Sequence, residues 1–313
     1  MQSVTRIASG AALFAIVGLL ASAASERPGH WFEKAAMPLA RTEAAVAILG
    51  GRIYAIGGFG PQSDQRAVQV YDVKTDTWSL GPPLPAGVNH AGAVGLHGKL
   101  YVIGGFLENG GATDACYLFD PTSGVWRRIA SLPSARGSPS VAVLDGKIHA
   151  VGGNDRGSLP SHDVYDPATD SWGSRAGLPL ARDHMALAEF GGRLYALGGR
   201  VNSYAHNTSE TDVYDPALDR WTRIAPMPTA RSGIAAAVLE ERILVIGGES
   251  PRGVFDQNEA YDPATDSWAV LPPLPAGRHG TGAAVFGDHV YLPGGGAWSG
   301  GSQPTATLWV YGQ

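Results

Sequence analysis

The hydrophobic and polar positions of this chain fall into short blocks that repeat along its length. The first complete block holds four apolar runs separated by turn residues: "AAVAIL" (44–49), "RIYAIGG" (52–58), "AVQVYD" (67–72) and "TWSL" (77–80). Runs of this length are typical of β-strands, and the connections "LGGR" and "VKTD" have the size of hairpin turns. No helical periodicity interrupts the runs. Each block therefore predicts an antiparallel meander of four strands.

The second run of the block returns five more times at a spacing of about 47 residues, as "KLYVIGG", "KIHAVGG", "RLYALGG", "RILVIGG" and "HVYLPGG". This run is apolar almost throughout, so we expect both faces of the strand to be buried. A single four-stranded sheet cannot cover both faces, whereas sheets stacked around an axis can. The pattern predicts an all-β chain folded as a six-bladed β-propeller.

Two more signals keep the same period: an aromatic–Asp pair, and a Trp six residues after that Asp. The pairs are Tyr71-Asp72, Phe119-Asp120, Tyr165-Asp166, Tyr214-Asp215 and Tyr261-Asp262, and the tryptophans are Trp31, Trp78, Trp126, Trp172, Trp221 and Trp268. Gly-Gly, then Tyr-Asp, then Trp at this spacing resembles the kelch repeat. The resemblance covers nearly all of the chain after the N-terminal segment and implies a kelch-type propeller.

The two ends of the repeat region complement each other. The sixth copy ends with "TATLWVYGQ" at Gln313 and lacks a fourth strand, while "HWFEKAAMPLAR" (30–41) reads as a fourth strand with no partners before it. We therefore expect the N-terminal strand, with Trp31, to complete the last blade and to remove an exposed sheet edge. Residues 24–313 are predicted to form one propeller domain.

The first 23 residues follow another pattern. Arg6 precedes the apolar run Ile7–Leu20, and "ASA" at 21–23 precedes Ala24. A helix of this apolar length rises only ~21 Å, which is short of a bilayer core. We predict a bacterial-type secretory signal peptide cleaved after Ala23, no membrane span in the mature chain, and a secreted or periplasmic protein.

Charge, cysteine content and the absence of known motifs argue against several classes of function. The net charge is −5 without a Lys-rich run, so a nucleic-acid partner is not expected. The single cysteine, Cys116, cannot form an internal disulfide, and its apolar run "ACYLF" predicts a buried side chain. No cofactor is predicted, because phosphate-loop and dinucleotide motifs are absent in a suitable context. No metal site is predicted either, because the histidines lie in different blades.

The spacing between motifs locates the functional face. The loop between the second and third strands varies in length by about four residues among the copies, while the other spacings are constant. In a meander these loops share a face with the connections between blades, and we call this the variable face. Variable loops on a rigid scaffold usually carry binding residues. We predict that recognition takes place on this face.

A residue triplet opens the first strand of each blade on the variable face, and five of the six triplets begin with Arg. The triplets are Arg41-Thr42-Glu43, Val88-Asn89-His90, Arg136-Gly137-Ser138, Arg182-Asp183-His184, Arg231-Ser232-Gly233 and Arg278-His279-Gly280. Five converging arginines would form an anion-binding funnel. An Arg at this position also belongs to the kelch pattern, and for any single Arg the bracing of neighbouring loops is favoured over ligand contact. In some kelch propellers, arginines at this level contact acidic peptide motifs. The histidines are interpreted as solvated residues of the rim.

We therefore predict a non-catalytic binding scaffold that recognises an acidic peptide, a protein loop or a glycan. Tyr204 and Trp298, two aromatic residues of the variable loops, are also candidate binding residues because such side chains suit sugar stacking or partner anchoring. Trp298 equally suits a lid over the pore. The predicted binding residues are Arg41, Glu43, Asn89, His90, Arg136, Arg182, His184, Arg231, Arg278, His279, Tyr204 and Trp298.

The alternative is a periplasmic carbohydrate-active enzyme that resembles the six-bladed sialic-acid mutarotases (the N-acetylneuraminate epimerase type). Such an enzyme needs an acid–base group beside an Arg, and two sets would supply it: Arg182 with Asp183 and His184, or Arg41 with Glu43. The mutarotases carry long insertions and degenerate repeats, whereas the repeats of this chain are compact and regular.

Overall fold

The computed structural model describes Met1 and residues 29–61 and 64–312. These residues form strands and turns without any helix, so no described segment has the length and hydrophobicity of a membrane-spanning helix. The predicted signal peptide, apart from Met1, lies outside the described residues.

The strands are short, mostly of four or five residues, and follow one another along the chain. In chain order they are β1 (His30–Lys34), β2 (Ala45–Leu49), β3 (Arg52–Ile56), β4 (Val68–Asp72), β5 (Thr77–Leu80), β6 (Val88–Asn89), β7 (Gly92–Leu96), β8 (Lys99–Ile103), β9 (Phe106–Leu107), β10 (Cys116–Asp120), β11 (Val125–Ile129), β12 (Ser140–Leu144), β13 (Lys147–Val151), β14 (His162–Asp166), β15 (Ser171–Ser174), β16 (Ala186–Phe190), β17 (Arg193–Leu197), β18 (Arg200–Val201), β19 (Ser203–Asn207), β20 (Thr211–Asp215), β21 (Arg220–Arg223), β22 (Ala235–Leu239), β23 (Arg242–Ile246), β24 (Glu249–Ser250), β25 (Gly253–Val254), β26 (Asn258–Asp262), β27 (Ser267–Leu271), β28 (Ala284–Phe286), β29 (His289–Pro293), β30 (Gly296–Trp298), β31 (Ser302–Pro304) and β32 (Leu308–Gly312).

Six antiparallel four-stranded sheets form the blades of a propeller, which confirms the predicted fold. From the innermost strand outwards they are blade 1 (β2-β3-β4-β5), blade 2 (β7-β8-β10-β11), blade 3 (β12-β13-β14-β15), blade 4 (β16-β17-β20-β21), blade 5 (β22-β23-β26-β27) and blade 6 (β28-β29-β32-β1). The first strands of successive blades pack on one another around a central channel. The second strands are buried on both faces, as their apolar sequences predict.

The N-terminal strand closes the ring. Strand β1 pairs with β32, with Trp31 opposite Tyr311 and Lys34 opposite Leu308. The Trp31 indole N–H donates to the carbonyl of Pro272 in blade 5 (2.9 Å). The predicted completion of the last blade by residues from the other end of the chain is therefore confirmed.

The repeated tryptophans join each blade to the one before it. Every indole N–H donates to a backbone carbonyl in the preceding blade, so the polar edge of a half-buried ring is satisfied while its apolar face packs. Besides Trp31 and Pro272, the pairs are Trp78 with Ala35, Trp126 with Pro82, Trp172 with Ala130, Trp221 with Ala176 and Trp268 with Ala225.

The Gly-Gly pairs join the blades in the other direction. The Gly58 N–H donates to the carbonyl of Val88, which opens the next blade (2.9 Å). A Cβ on Gly57 would lie 2.2 Å from that same oxygen, and both glycines have positive φ. Only glycine permits this approach. The same bond recurs at the other five junctions, from Gly105 to Arg136, Gly153 to Arg182, Gly199 to Arg231, Gly248 to Arg278 and Gly295 to Arg41.

The apolar core is divided among the interfaces between blades. One interface packs Leu96, Ile103 and Cys116 against Ile148 and Ala150. The Cys116 side chain is fully buried, as its apolar run predicted, and burial raises the pKa of its thiol to about 12. Cys116 thus acts as a small apolar core residue.

Replacing Trp31 with Ala tests the closure of the ring. The change removes the bond to Pro272 and the packing on Tyr311, whose ring centroid lies 5.0 Å away. We expect the free energy of unfolding to fall by about 3 kcal/mol, measured by urea denaturation. The control is Trp298→Ala, because that side chain is 65% exposed and its loss is expected to cost no more than about 0.5 kcal/mol. Equal stability of the two variants would contradict closure by β1.

Candidate functional site

The variable loops and the blade connections meet on one face, as the spacing predicted. In each blade, the middle residue of the opening triplet pairs in antiparallel fashion with the residue that follows Gly-Gly. The six pairs are Thr42 with Phe59, Asn89 with Phe106, Gly137 with Asn154, Asp183 with Arg200, Ser232 with Glu249 and His279 with Gly296. Each variable loop is therefore fastened at its base to the entry of its own blade.

The third residues of the triplets form a ring around the channel. All six have left-handed backbone, with φ between 50° and 63°: Glu43, His90, Ser138, His184, Gly233 and Gly280. Backbone bonds run from one to the next, for example from the His90 N–H to the Glu43 carbonyl (2.9 Å) and from the Gly280 N–H to the Gly233 carbonyl (3.0 Å). The ring lines one part of a channel cavity of about 300 Å³ whose other walls are the first strands.

The first residues of the triplets do not reach the channel. Arg182 is fully buried inside blade 4, where it pairs with Asp212 on β20 (2.7 Å) and donates to the Ala196 carbonyl (3.0 Å). Arg136 pairs in the same way with Asp163 in blade 3 (2.8 Å), and Arg231 pairs with Glu259 in blade 5. Each guanidinium thus ties the entry of its blade to the second and third strands.

The remaining two arginines are also buried. Arg278 donates to the Gly294 carbonyl (2.8 Å) and lies over the ring of Trp309, 5.7 Å from its centroid. Arg41 is 2% exposed. The expected convergence of five arginines on one mouth is therefore not what the structure shows, because internal partners hold these side chains within the blades. A role for them in ligand contact stays a prediction, and their visible role is to brace the fold.

The histidines of the triplets are enclosed rather than solvated, so that interpretation was wrong. His279 is 1% and His184 is 9% exposed. The rings of His90 and His184 lie 4.9 Å apart although they belong to blades 2 and 4. The channel is narrow enough for side chains from blades that are not neighbours to meet at its axis. Asn89 is buried as well, and its amide donates to Gln65 and to the Phe106 carbonyl.

Glu43 connects two of these histidines. Its Oε2 lies 3.1 Å from His90 Nε2, and its Oε1 lies 3.3 Å from His279 Nδ1. Burial opposes the charge of Glu43, but the neighbouring imidazoles outweigh that cost and hold the pKa of this carboxyl well below its usual range. Burial lowers the pKa of His90 to about 4, against the attraction of Glu43. Burial also opposes the charge on His279, yet Glu43 and Glu249 raise its pKa.

Asp183 and Arg200 continue the polar cluster. Asp183 Oδ1 lies 2.6 Å from His184 Nδ1 and 3.0 Å from Arg200 Nε. Arg200 also reaches Glu249 Oε1 (2.8 Å) and His184 Nε2 (2.8 Å). Burial raises the pKa of Asp183, but His184 and its other partners outweigh burial and keep the pKa below the ordinary value.

Arg200 and Glu249 were not among the predicted binding residues. Each directly follows a Gly-Gly pair, and the backbone pairing of that position with the triplet brings both into the cluster. The position after Gly-Gly is the sequence signal that would have identified them. We call Glu43, His90, Asp183, His184, Arg200, Glu249 and His279 the channel cluster.

Among the described residues, the exposed aromatic side chains of the variable face lie on blades 4 and 6. The variable loops of blades 4 to 6 form the two-stranded hairpins β18–β19, β24–β25 and β30–β31. Tyr204 and Trp298 are 37% and 65% exposed on the first and third of them. A cavity of about 550 Å³ lies between the first two hairpins, with Tyr204, Arg252 and Phe255 in its walls. The Arg200 guanidinium carbon lies 5.9 Å from the centroid of the Tyr204 ring.

Comparison with known proteins identifies the repeat. The family model described as the Kelch motif matches residues 40–85, 88–133, 135–174, 181–228 and 230–275, well over half of the chain. The chain belongs to the kelch-repeat family.

Kelch relatives among curated proteins share the repeats over part of their length. Kelch-like protein 35 of Mus musculus is 40% identical over 126 residues, which cover 40% of this chain and 21% of that protein. Kelch-like protein terF of Aspergillus terreus is 34% identical over 128 residues, which cover 36% of this chain and 27% of that protein. The matches thus span less than a third of these relatives.

A solved structure titled "Structure of YjhT" has a similar fold. Its TM-score is 0.76 at 16% sequence identity, and the alignment covers 87% of this chain and 95% of that chain. At this identity the likeness concerns the fold, and it agrees with a closed propeller that accounts for nearly all of both chains.

Replacing Asp212 with Ala tests whether the buried ion pair between Arg182 and Asp212 braces blade 4 more strongly than an ion pair at the surface does. The change leaves Arg182 buried without its carboxylate, and we expect the free energy of unfolding to fall by about 3 kcal/mol or more. The control is Asp215→Ala on the same strand, since Asp215 pairs with the half-exposed Arg193 and its loss is expected to cost about 1 kcal/mol or less. Urea denaturation measures both variants. If Asp212→Ala were as stable as the control, the bracing role of Arg182 would be refuted.

Proposed function

We propose that this kelch propeller is a non-catalytic binding scaffold that captures a protein loop with the hairpins of blades 4 to 6. The observation that carries the proposal is the exposure of Tyr204 and Trp298 on the first and third of three consecutive hairpins, with a cavity of about 550 Å³ between the first two of them. Trp, Tyr and Arg are the residues most often found at the energetic centres of protein interfaces. Kelch propellers commonly serve as protein-interaction scaffolds, which agrees with this assignment.

The rigidity of the site supports the same conclusion. The Trp298 carbonyl accepts a hydrogen bond from buried His279 (2.8 Å), and the Ser299 hydroxyl donates to the Ser250 carbonyl of the adjacent hairpin (2.8 Å). The Asn207 amide donates to the Glu249 carbonyl (2.6 Å) and joins the hairpins of blades 4 and 5. Because the three hairpins are already fixed to each other, little ordering cost arises when a partner docks.

The preference for an acidic segment rests on one residue of this surface. Arg252 is exposed and lines the cavity between the hairpins of blades 4 and 5. Its guanidinium suits a carboxylate at the end of a partner's side chain. The triplet arginines give this preference no support, because all five are buried and carboxylates inside the blades pair with three of them. We propose that the partner places an acidic residue beside Arg252 and an apolar residue against Tyr204 or Trp298.

The enzymatic alternative fits the geometry less well. A sialic-acid mutarotase would need an Arg beside the acid–base group, but Arg41 and Arg182 are both buried. Asp183 and His184 do form a close pair, and Arg200 stands beside them. However, Arg200 already donates to His184 Nε2, and Asp183 is 1% exposed. These groups are saturated by one another rather than open to a sugar.

The double variant Tyr204→Ala/Trp298→Ala tests the binding surface. Immobilised protein is exposed to an extract of its source cells, and retained proteins are quantified by mass spectrometry. We expect the double variant to retain at least about tenfold less of the specific partner, since two aromatic anchors each contribute about 1 kcal/mol or more. Its melting temperature should not change, because both side chains are exposed.

The matched control is Leu218→Ala. Leu218 is 62% exposed in the turn after β20, on the opposite face, so its replacement should leave capture unchanged. A glycan array is run in parallel. Loss of capture with Leu218→Ala but not with the double variant would refute the proposed surface, and specific glycan retention without a protein partner would show that the ligand class is wrong.

A further inference from the structure

Three residues of the channel cluster form a compact set of potential ligand atoms. Glu43, Glu249 and His279 come from the entries of blades 1, 5 and 6, and one ligand atom of each lies within 4.8 Å of the other two. His279 Nδ1 is 3.3 Å from Glu43 Oε1 and 3.6 Å from Glu249 Oε2. Atoms bound to one Zn²⁺ at its usual bond lengths of about 2.0–2.2 Å are separated by about this much.

The His279 ring is oriented by its other nitrogen. Its Nε2 lies 2.8 Å from the Trp298 carbonyl, so Nε2 carries the proton and donates it. The Nδ1 atom is buried, and neither nearby carboxylate oxygen meets the geometry of a hydrogen bond with it. A ring nitrogen fixed by a bond from its partner nitrogen to a carbonyl is the usual arrangement of a metal-ligating histidine.

The carboxylates are held in position as well. Glu249 Oε1 pairs with Arg200, and Glu249 Oε2 accepts the Gly300 N–H (2.7 Å). Glu43 Oε2 faces His90. The hydroxyl of Thr42, beside Glu43 in sequence, is fully buried and has no hydrogen-bond partner among the residues that the structure describes. A Cβ placed on Gly280 would lie 2.8 Å from this hydroxyl and 2.6 Å from Glu43 Oε1. The hydroxyl is therefore a further polar atom near the set.

The charges of the channel cluster favour a divalent cation. Glu43, Asp183 and Glu249 are carboxylates, and the Arg200 guanidinium contacts two of them, Asp183 and Glu249. A histidine that binds a metal is neutral, so in the metal-bound state these three carboxylates would exceed the Arg200 guanidinium by two negative charges, which a divalent cation balances. Buried charges are stable only when they are paired or bind a metal.

The second histidine group of the cluster suits a metal less well. Glu43, His90 and His184 also lie within 4.8 Å of one another. However, His184 Nε2 already receives the Arg200 N–H (2.8 Å), and a guanidinium at that distance repels a cation. In the set on blades 1, 5 and 6, Arg200 pairs with Glu249 Oε1 and leaves Oε2 facing His279 Nδ1 (3.6 Å), so this set is favoured.

Two glycines lie between the favoured set and the channel cavity. A Cβ on Gly280 would lie 2.6 Å from the Glu43 carboxylate, and a Cβ on Gly233 would lie 3.4 Å from His279 Nδ1. Both glycines line the channel cavity together with Glu43. An ion in the channel therefore meets no side chain at these two ring positions on its way to the set.

We propose that Glu43, Glu249 and His279 bind one divalent transition-metal ion of the Zn²⁺ class. One imidazole and two carboxylates form a donor set typical of such ions. The ion would join three blades at the channel and fix the hairpin that carries Trp298, because the carbonyl of Trp298 holds His279. The site stands on its own geometry and does not depend on the proposed partner binding.

Titration of the metal-free full chain with Zn²⁺, followed by calorimetry, tests the site. We expect one Zn²⁺ per chain and a melting temperature that rises with Zn²⁺ concentration. His279→Asn should weaken binding by at least about 100-fold, since it removes a ligand rather than an outer partner. Asn occupies the equivalent position in blade 2 as Asn89, so the fold is expected to tolerate it, and circular dichroism verifies this. Glu249→Gln provides a second variant.

The matched comparison is His184→Ser, which copies Ser138 of blade 3. His184 contacts Arg200, the partner of Glu249, rather than the ion, so we expect its loss to weaken binding by no more than about tenfold. Absence of Zn²⁺ binding by the wild-type chain would overturn the proposal. Binding that His184→Ser abolishes and His279→Asn preserves would overturn it too, because the ion would then lie on the channel axis. Saturation by Ca²⁺ but not by Zn²⁺ would contradict the assigned class of ion.

Discussion

The contact on which this structure depends is the hydrogen bond from the second glycine of each Gly-Gly pair to the carbonyl that opens the next blade. It occurs at all six junctions, including the one from Gly295 to Arg41 that closes the circle. The first glycine must lack a Cβ, because the same carbonyl occupies that space. Because these two contacts fix the glycines that follow the second strand, the chain can vary in length only beyond the glycines, in the variable loops.

The same constraint explains where the charges lie. Each blade begins at a fixed point beside its own second and third strands, so a long side chain from the first triplet position enters the blade. Arg136, Arg182 and Arg231 find carboxylates there, whereas the third triplet position points its side chain into the channel. The result is a braced ring of blades around a buried cluster of carboxylates and imidazoles, while the exposed aromatic side chains Tyr204 and Trp298 lie on the hairpins of blades 4 and 6.

Sequence pattern alone predicted the blade number, the strand order and the closure by Trp31, because these depend on a period that six copies repeat. It did not predict the burial of the arginines, although the sequence contains a signal for it. A carboxylate stands two residues before the repeated Tyr in the blades whose arginines it pairs with, as Asp163, Asp212 and Glu259. In blade 2, Tyr117 replaces that carboxylate and Val88 replaces the Arg. The meeting of His90 with His184 had no such signal, because it depends on the width of the channel rather than on any spacing along the chain.

Hydrogen–deuterium exchange of the propeller, with and without a captured partner, tests most directly whether recognition takes place on the variable face. The account predicts slower exchange on binding in the hairpin segments 200–207, 249–254 and 296–304, and unchanged exchange in the turns between third and fourth strands, such as residues 216–219. Protection of those turns, with the three hairpins unaffected, would contradict it.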